Sequence, residues 1–179
     1  MKRTGTFLVL AILVLALGSC QSRTDLSEGS VILSVTDFDE LPLLVSVSGG
    51  GPTQVGEVTL QNFAKDPNGT TSDLQGIELR SYEVRYSRRD TGTRLPPPMV
   101  QSLFSLVPAN GSATISNLQF LSLNQLLNPP LSDLATAGAD RETGSQVIVL
   151  NVTMRFFGRT LAGDDIASDP ASFTVEVVP

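Results

Sequence analysis

The chain has 179 residues, with 12 basic and 18 acidic side chains for a net charge of −6, no histidine, no tryptophan and a single cysteine, Cys20. An acidic surface repels nucleic acid and anionic lipid head groups at long range, so nucleic acid is not an expected partner. Without imidazole the commonest general base and transition-metal ligand is gone, and one cysteine allows neither an intrachain disulfide nor a thiolate cluster, so the expectation is no enzyme activity, no cofactor, no metal and no small-molecule substrate.

The first nineteen residues have the layout of a leader. Lys2 and Arg3 give a positive start, and residues 7–17 form an unbroken apolar run of 11 residues. That is about half of the ~20 residues a membrane-spanning helix needs, so a cleaved signal is expected rather than a stable anchor. Leu17-Gly18-Ser19-Cys20 follows at once. This tetrad resembles the lipobox of bacterial lipoproteins, with Gly18 standing where the family usually has Ala or Ser. The resemblance implies cleavage between Ser19 and Cys20, diacylglycerol in thioether linkage on Cys20, and N-acylation in many bacteria. The membrane then becomes a partner through acylated Cys20, each buried CH₂ contributing about 0.8 kcal/mol. Gln21, where an Asp would favour retention at the inner membrane, matches the outer-membrane default of diderm bacteria. The alternatives are ordinary secretory cleavage after Gly18 and an uncleaved helix. Loss of residues 1–19 leaves 10 basic against 18 acidic side chains.

Residues 20–30 are small and polar and read as a flexible tether; residues 31–179 read as one domain. Val31, Leu33 and Val35 alternate with Ile32, Ser34 and Thr36, as do Leu43, Val45 and Val47 with Leu44, Ser46 and Ser48. Glycines 49–51 break the run. Val58 and Leu60 mark the next strand, and Lys65-Asp66-Pro67-Asn68-Gly69 a turn. Residues 77–89 form a long strand whose apolar phase shifts from Ile77 and Leu79 to Tyr82, Val84 and Tyr86, which predicts a bulge near Arg80-Ser81. Pro96-Pro97-Pro98 suits an edge or a crossing loop. Residues 102–106 make a short strand with no clear face, because Leu103 and Phe104 are adjacent. Ala113, Ile115 and Asn117 share a parity in the strand that follows.

Residues 120–144 break the β pattern. Leu123, Leu126 and Leu127 have i, i+3, i+4 spacing, which predicts one or two helical turns capped by Ser122 and stopped at Asn128-Pro129-Pro130, with a further turn from Leu131. Ile148, Leu150, Val152, Met154 and Phe156 then form one wholly apolar strand face, closed by Gly158. Phe173, Val175 and Val177 mark the last strand.

Seven or eight strands with one apolar face each, and little helix, predict an all-β, antiparallel β-sandwich with a short helical insertion between late strands. Tyr82-Glu83-Val84-Arg85-Tyr86 resembles the third strand of a fibronectin type III or immunoglobulin-like domain, and residues 113–118 resemble its fifth. The segments 148–156 and 173–177 would be its last two strands. That resemblance implies an immunoglobulin-like sandwich, a fold that hosts many functions.

Three constellations bear on function. Asp37-Phe38-Asp39-Glu40 and Asp164, Asp165 and Asp169 are acidic loops of the kind that can ligate Ca²⁺, or simply face water. Arg80, Arg85, Arg88, Arg89 and Arg94 suit anionic groups, or pair with Glu78, Glu83 and Asp90. The leucine-rich insertion caps the sandwich, or offers an apolar docking surface through Leu123, Leu126 and Leu127 to a protein of the cell envelope. The expected function is a lipid-anchored envelope protein with a binding or assembly role. The alternatives are a structural accessory subunit of an envelope complex and a Ca²⁺-dependent adhesion module.

Overall fold

The computed structural model describes residues 29–42, 44–49 and 53–179. The leader, Ser19, Cys20 and most of the tether lie outside the described residues. Among these residues nine strands form two sheets. Sheet one holds β1 (Val31–Asp39), β3 (Gln54–Ala64) and β6 (Ser112–Gln119), in the order β1-β3-β6. Sheet two holds β2 (Leu44–Ser46), β9 (Ala171–Val178), β7 (Ile148–Thr160), β4 (Ile77–Arg88) and β5 (Met99–Val107), in that order. β8 (Asp165–Ala167) pairs with β7 beyond the end of β9. The all-β sandwich anticipated from the alternation is the observed architecture, with the strong strands at 82–86, 113–118, 148–156 and 173–177 in β4, β6, β7 and β9.

The core lies between the sheets. Ile148, Leu150, Val152, Met154 and Phe156 of β7 are all buried, facing Leu33, Val58 and Leu60 of sheet one and flanked by Leu79, Val84 and Val175. Each fully buried side chain of this size contributes about 1.5–3 kcal/mol. Phe120, from the start of the insertion, packs edge-on against Phe173 with ring centroids 5.4 Å apart.

The bulge predicted near Arg80-Ser81 is present: the register of β4 shifts between Leu79 and Ser81 against both β7 and β5. It lets Ile77 and Leu79 point inward on one side and Tyr82, Val84 and Tyr86 on the other. Gly158 is not the terminator expected of it. β7 runs through it to Thr160, and a Cβ at 158 would lie 2.6 Å from the Glu78 carbonyl oxygen. The glycine is there so that β7 can close on β4 at the bulge.

Other expectations are corrected. There are nine strands among the described residues, not seven or eight, because β8 is too short to show a period. The sandwich is not wholly antiparallel: β2 crosses from sheet one and runs parallel to β9. The segment expected at 102–106 is the nine-residue β5 with a clear alternation, Leu103 half-buried and Phe104 exposed. Asn117 does not share the inward parity of Ala113 and Ile115. It takes φ 59, a left-handed conformation asparagine tolerates, and the following Leu118 turns inward instead.

Candidate functional site

The insertion between β6 and β7 folds into two short helices, α1 (Leu123–Leu126) and α2 (Leu131–Ala137), at one end of the sandwich. α1 starts where Ser122 predicts. The Ser122 hydroxyl accepts from the Gln125 N–H at 3.3 Å, and Gln125 Oε1 accepts from the Ser122 N–H at 2.7 Å, a reciprocal capping box. α2 ends at Gly138, whose φ of 72 supplies the left-handed C-cap.

Most of the insertion's leucines close the sandwich. Leu121, Leu131 and Leu134 are fully buried, and Leu126 is half-buried against the core. Leu123 and Leu127 behave differently. They are 68 % and 67 % exposed, one helical turn apart. Of the three leucines singled out in the sequence, α1 therefore offers two to solvent and uses the third to hold itself down.

Gln125, almost wholly buried, anchors α1. Its Nε2 donates to the Tyr86 hydroxyl at 2.9 Å and to the Pro97 carbonyl at 2.6 Å. The Tyr86 hydroxyl donates to the Phe120 carbonyl at 2.5 Å, and the Tyr82 hydroxyl donates to the Gln119 carbonyl at 3.0 Å. Burial pushes both phenols up from their ordinary value. The two tyrosines thus pin the exit from β6, and Gln125 ties α1 to β4 and to the segment before β5.

A second brace is ionic. Arg80 pairs with Glu78 and Arg85 with Glu83, as the sequence suggests, but these are surface pairs of little energetic weight. Arg88 continues the inward parity of Tyr82, Val84 and Tyr86, and its side chain is buried. Its Nε donates to Asp90 Oδ1 at 2.5 Å and its Nη2 to Asp90 Oδ2 and Asp140 Oδ2, each at 2.9 Å. Glu142 lies 3.7 Å from Nη1. Asp90 also accepts from the Gly92 and Val149 N–H groups, which joins the start of β7 to the cluster. Beside it Asp133, buried on α2, takes Arg94 at 3.1 Å and Arg141 at 3.2 Å.

Burial alone would raise the Asp90 carboxyl. The bonds from Arg88 and from the Gly92 and Val149 N–H groups outweigh it and hold the group below the usual carboxylate range. Asp140 is likewise raised by burial and lowered further by the Thr143 hydroxyl, Arg88 and the Glu142 N–H. Glu142 is lowered by the Thr93 hydroxyl and by the Arg94 and Thr93 N–H groups. Burial lowers Arg88, and its two aspartate partners raise it by more. In the sequence Asp133 falls in the turn expected from Leu131, and Asp140 and Glu142 fall in a loop over residues 137–145. The signal for Asp140 and Glu142 is Arg88 itself: an arginine on the buried face of a strand requires carboxylates from elsewhere in the chain.

The acidic loops do not converge. Asp37, Asp39 and Glu40 are exposed, Asp39 accepting from the Glu40 N–H at 2.8 Å. The Asp164 N–H donates to the Thr160 hydroxyl at 2.9 Å, and Asp165 lies 3.7 Å from Arg159. Asp169 shares an apolar groove with Lys65, Ile32 and Ile166. Among the described residues no three histidine, cysteine or carboxylate side chains are placed to hold a metal ion, and no helix is long and apolar enough to cross a membrane. Arg85 meets Arg155 and Glu83 at a shallow depression of about 170 Å³ on the outer face of sheet two.

Compared with protein families, curated proteins and solved structures, the chain matches none.

Proposed function

We propose that this chain is a lipid-anchored protein of the cell envelope, held in the membrane by acylated Cys20, whose role is binding or assembly rather than catalysis. In a diderm host the leader and Gln21 favour the outer membrane. The leader supports the location: a positive start, an apolar run too short to span, and the Leu17-Gly18-Ser19-Cys20 tetrad.

The role rests on one observation. α1 is fixed at Gln125 by buried hydrogen bonds to Tyr86 and Pro97, and yet it leaves Leu123 and Leu127 exposed side by side. A segment needed only to close the sandwich gains nothing from two outward leucines on a rigid turn. A partner of the envelope gains an apolar anchor that loses little conformational entropy on binding. The absence of histidine and of a second cysteine from the sequence points the same way.

Incorporation of a photo-crosslinking residue at Leu123, in the full chain in its own membranes, tests the role. One discrete adduct, lost when Leu127 is changed to Asp, is the expected result. No adduct at Leu123, with strong labelling at a control position such as Thr136, contradicts it.

A further inference from the structure

Residues 95–132 contain no Asp, Glu, Lys or Arg, in a chain with 30 such side chains elsewhere. The fold gathers much of this neutral stretch on one flank, because β5 is the edge of sheet two and β6 the edge of sheet one. On the opposite side, at the far edge strand β1 of sheet one and around β8, lie Asp37, Asp39, Glu40, Asp164, Asp165 and Asp169. The two neutral edges differ. β6 turns Ser112, Thr114 and Ser116 to solvent, whereas β5 turns out Val100, Phe104 and Leu106, with Phe104 83 % exposed.

Edge strands are normally guarded by lysine, proline, inward charges or a bulge that twists the edge away. Met99–Val107 has no lysine, no proline and no charge. Its one irregularity is the register shift that sets Leu103 and Phe104 against Arg80 of β4, and the alternation of exposed and half-buried residues along β5 runs unbroken through it. Among the described residues no strand pairs with its outer side.

We propose that β5 is a two-fold contact between copies of this chain, the two strands pairing antiparallel so that sheet two runs on across the dimer. Charge selects the partner and the place. Residues 29–179 carry nine basic and 16 acidic side chains, so two copies repel wherever charged surface meets, and the neutral flank is where that repulsion is least. Hydrogen bonding selects a strand over a lipid surface, since hydrocarbon leaves edge N–H and C=O groups unsatisfied. A two-fold axis at Leu103 sets Val100 of one copy opposite Leu106 of the other, and Ser102 opposite Phe104, self-complementary with no charge to match. The inference does not depend on the lipid anchor.

The test is the protein mass, by sedimentation or light scattering, of the purified full chain, in detergent if it fractionates with membranes, with reductant present. The expected result is twice the chain mass, falling to a single chain on Phe104→Arg and on Val100→Lys, with each variant keeping a cooperative thermal melt because both side chains face water in the single chain. A wild-type mass of one chain at every concentration overturns the proposal, as does a dimer that survives both substitutions. A dimer lost with Leu123→Asp and kept with Phe104→Arg also overturns it, and moves the contact to α1.

Discussion

The Arg88 guanidinium donates to the Asp140 carboxylate at 2.9 Å across 52 residues of chain, with both side chains out of water. The bond fastens the far end of the insertion to the last residue of β4. Removing one partner strands the other as an unpaired buried charge, which costs about 3–5 kcal/mol. Arg88→Met is therefore expected to lower stability by about that amount in urea unfolding. Arg88→Met combined with Asp140→Leu is expected to recover part of the loss, since no carboxylate is then left opposite a missing arginine on that side.

Acid should loosen the same brace. Asp90 and Asp140 are both held below the ordinary carboxylate range in the folded chain. A depressed folded value contributes stability that is fully present above the unfolded value of about 3.9 and is lost as pH falls through the folded one. The urea midpoint should hold from neutrality down to about pH 5 and drop below about pH 4. Asp140→Asn starts from a lower midpoint and should show a shallower drop over the acid range. Parallel acid slopes for wild type and variant would count against the brace.

Gly158 should tolerate no Cβ. The added atom meets main chain of β4 at 2.6 Å, not the flexible end of a side chain, so the strands must part to admit it. Gly158→Ala is expected to cost about 1–3 kcal/mol as an overpacking change, read as a lowered melting temperature.

The strands and their faces were legible wherever polar and apolar residues alternate, as in β7, and the bulge at Arg80 was legible because the apolar phase slips there. The Ser122 cap and the pairs Arg80–Glu78, Arg85–Glu83 and Arg88–Asp90 could be read from local spacing alone. What could not be read depends on distant chain. The face of β5 was hidden by adjacent Leu103 and Phe104, and only its pairing with β4 decides which of them points in. Asp133 looks like a solvated residue of a helical turn and Asp140 like a loop residue until Arg94 and Arg88 are brought against them. Gly158 looks like a stop, and its actual role requires a bulge eighty residues away in sequence, roughly the 78–158 contact itself.

The leucines of the insertion should separate cleanly by role. Leu123→Asp with Leu127→Asp is expected to leave the melt within about 0.5 kcal/mol of wild type, as surface substitutions do. Leu131→Ala, in the fully buried set, should cost about 2–5 kcal/mol. A double variant that unfolds would mean that the exposed pair is part of the cap.

The mature N-terminus, recovered from native membranes and weighed by mass spectrometry of its first proteolytic fragment, is the most direct check on the proposed anchor. A fragment that begins at Cys20 and carries the added mass of diacylglycerol, with or without a third acyl chain, is the predicted result. A fragment that begins elsewhere, or a free thiol at Cys20, contradicts it.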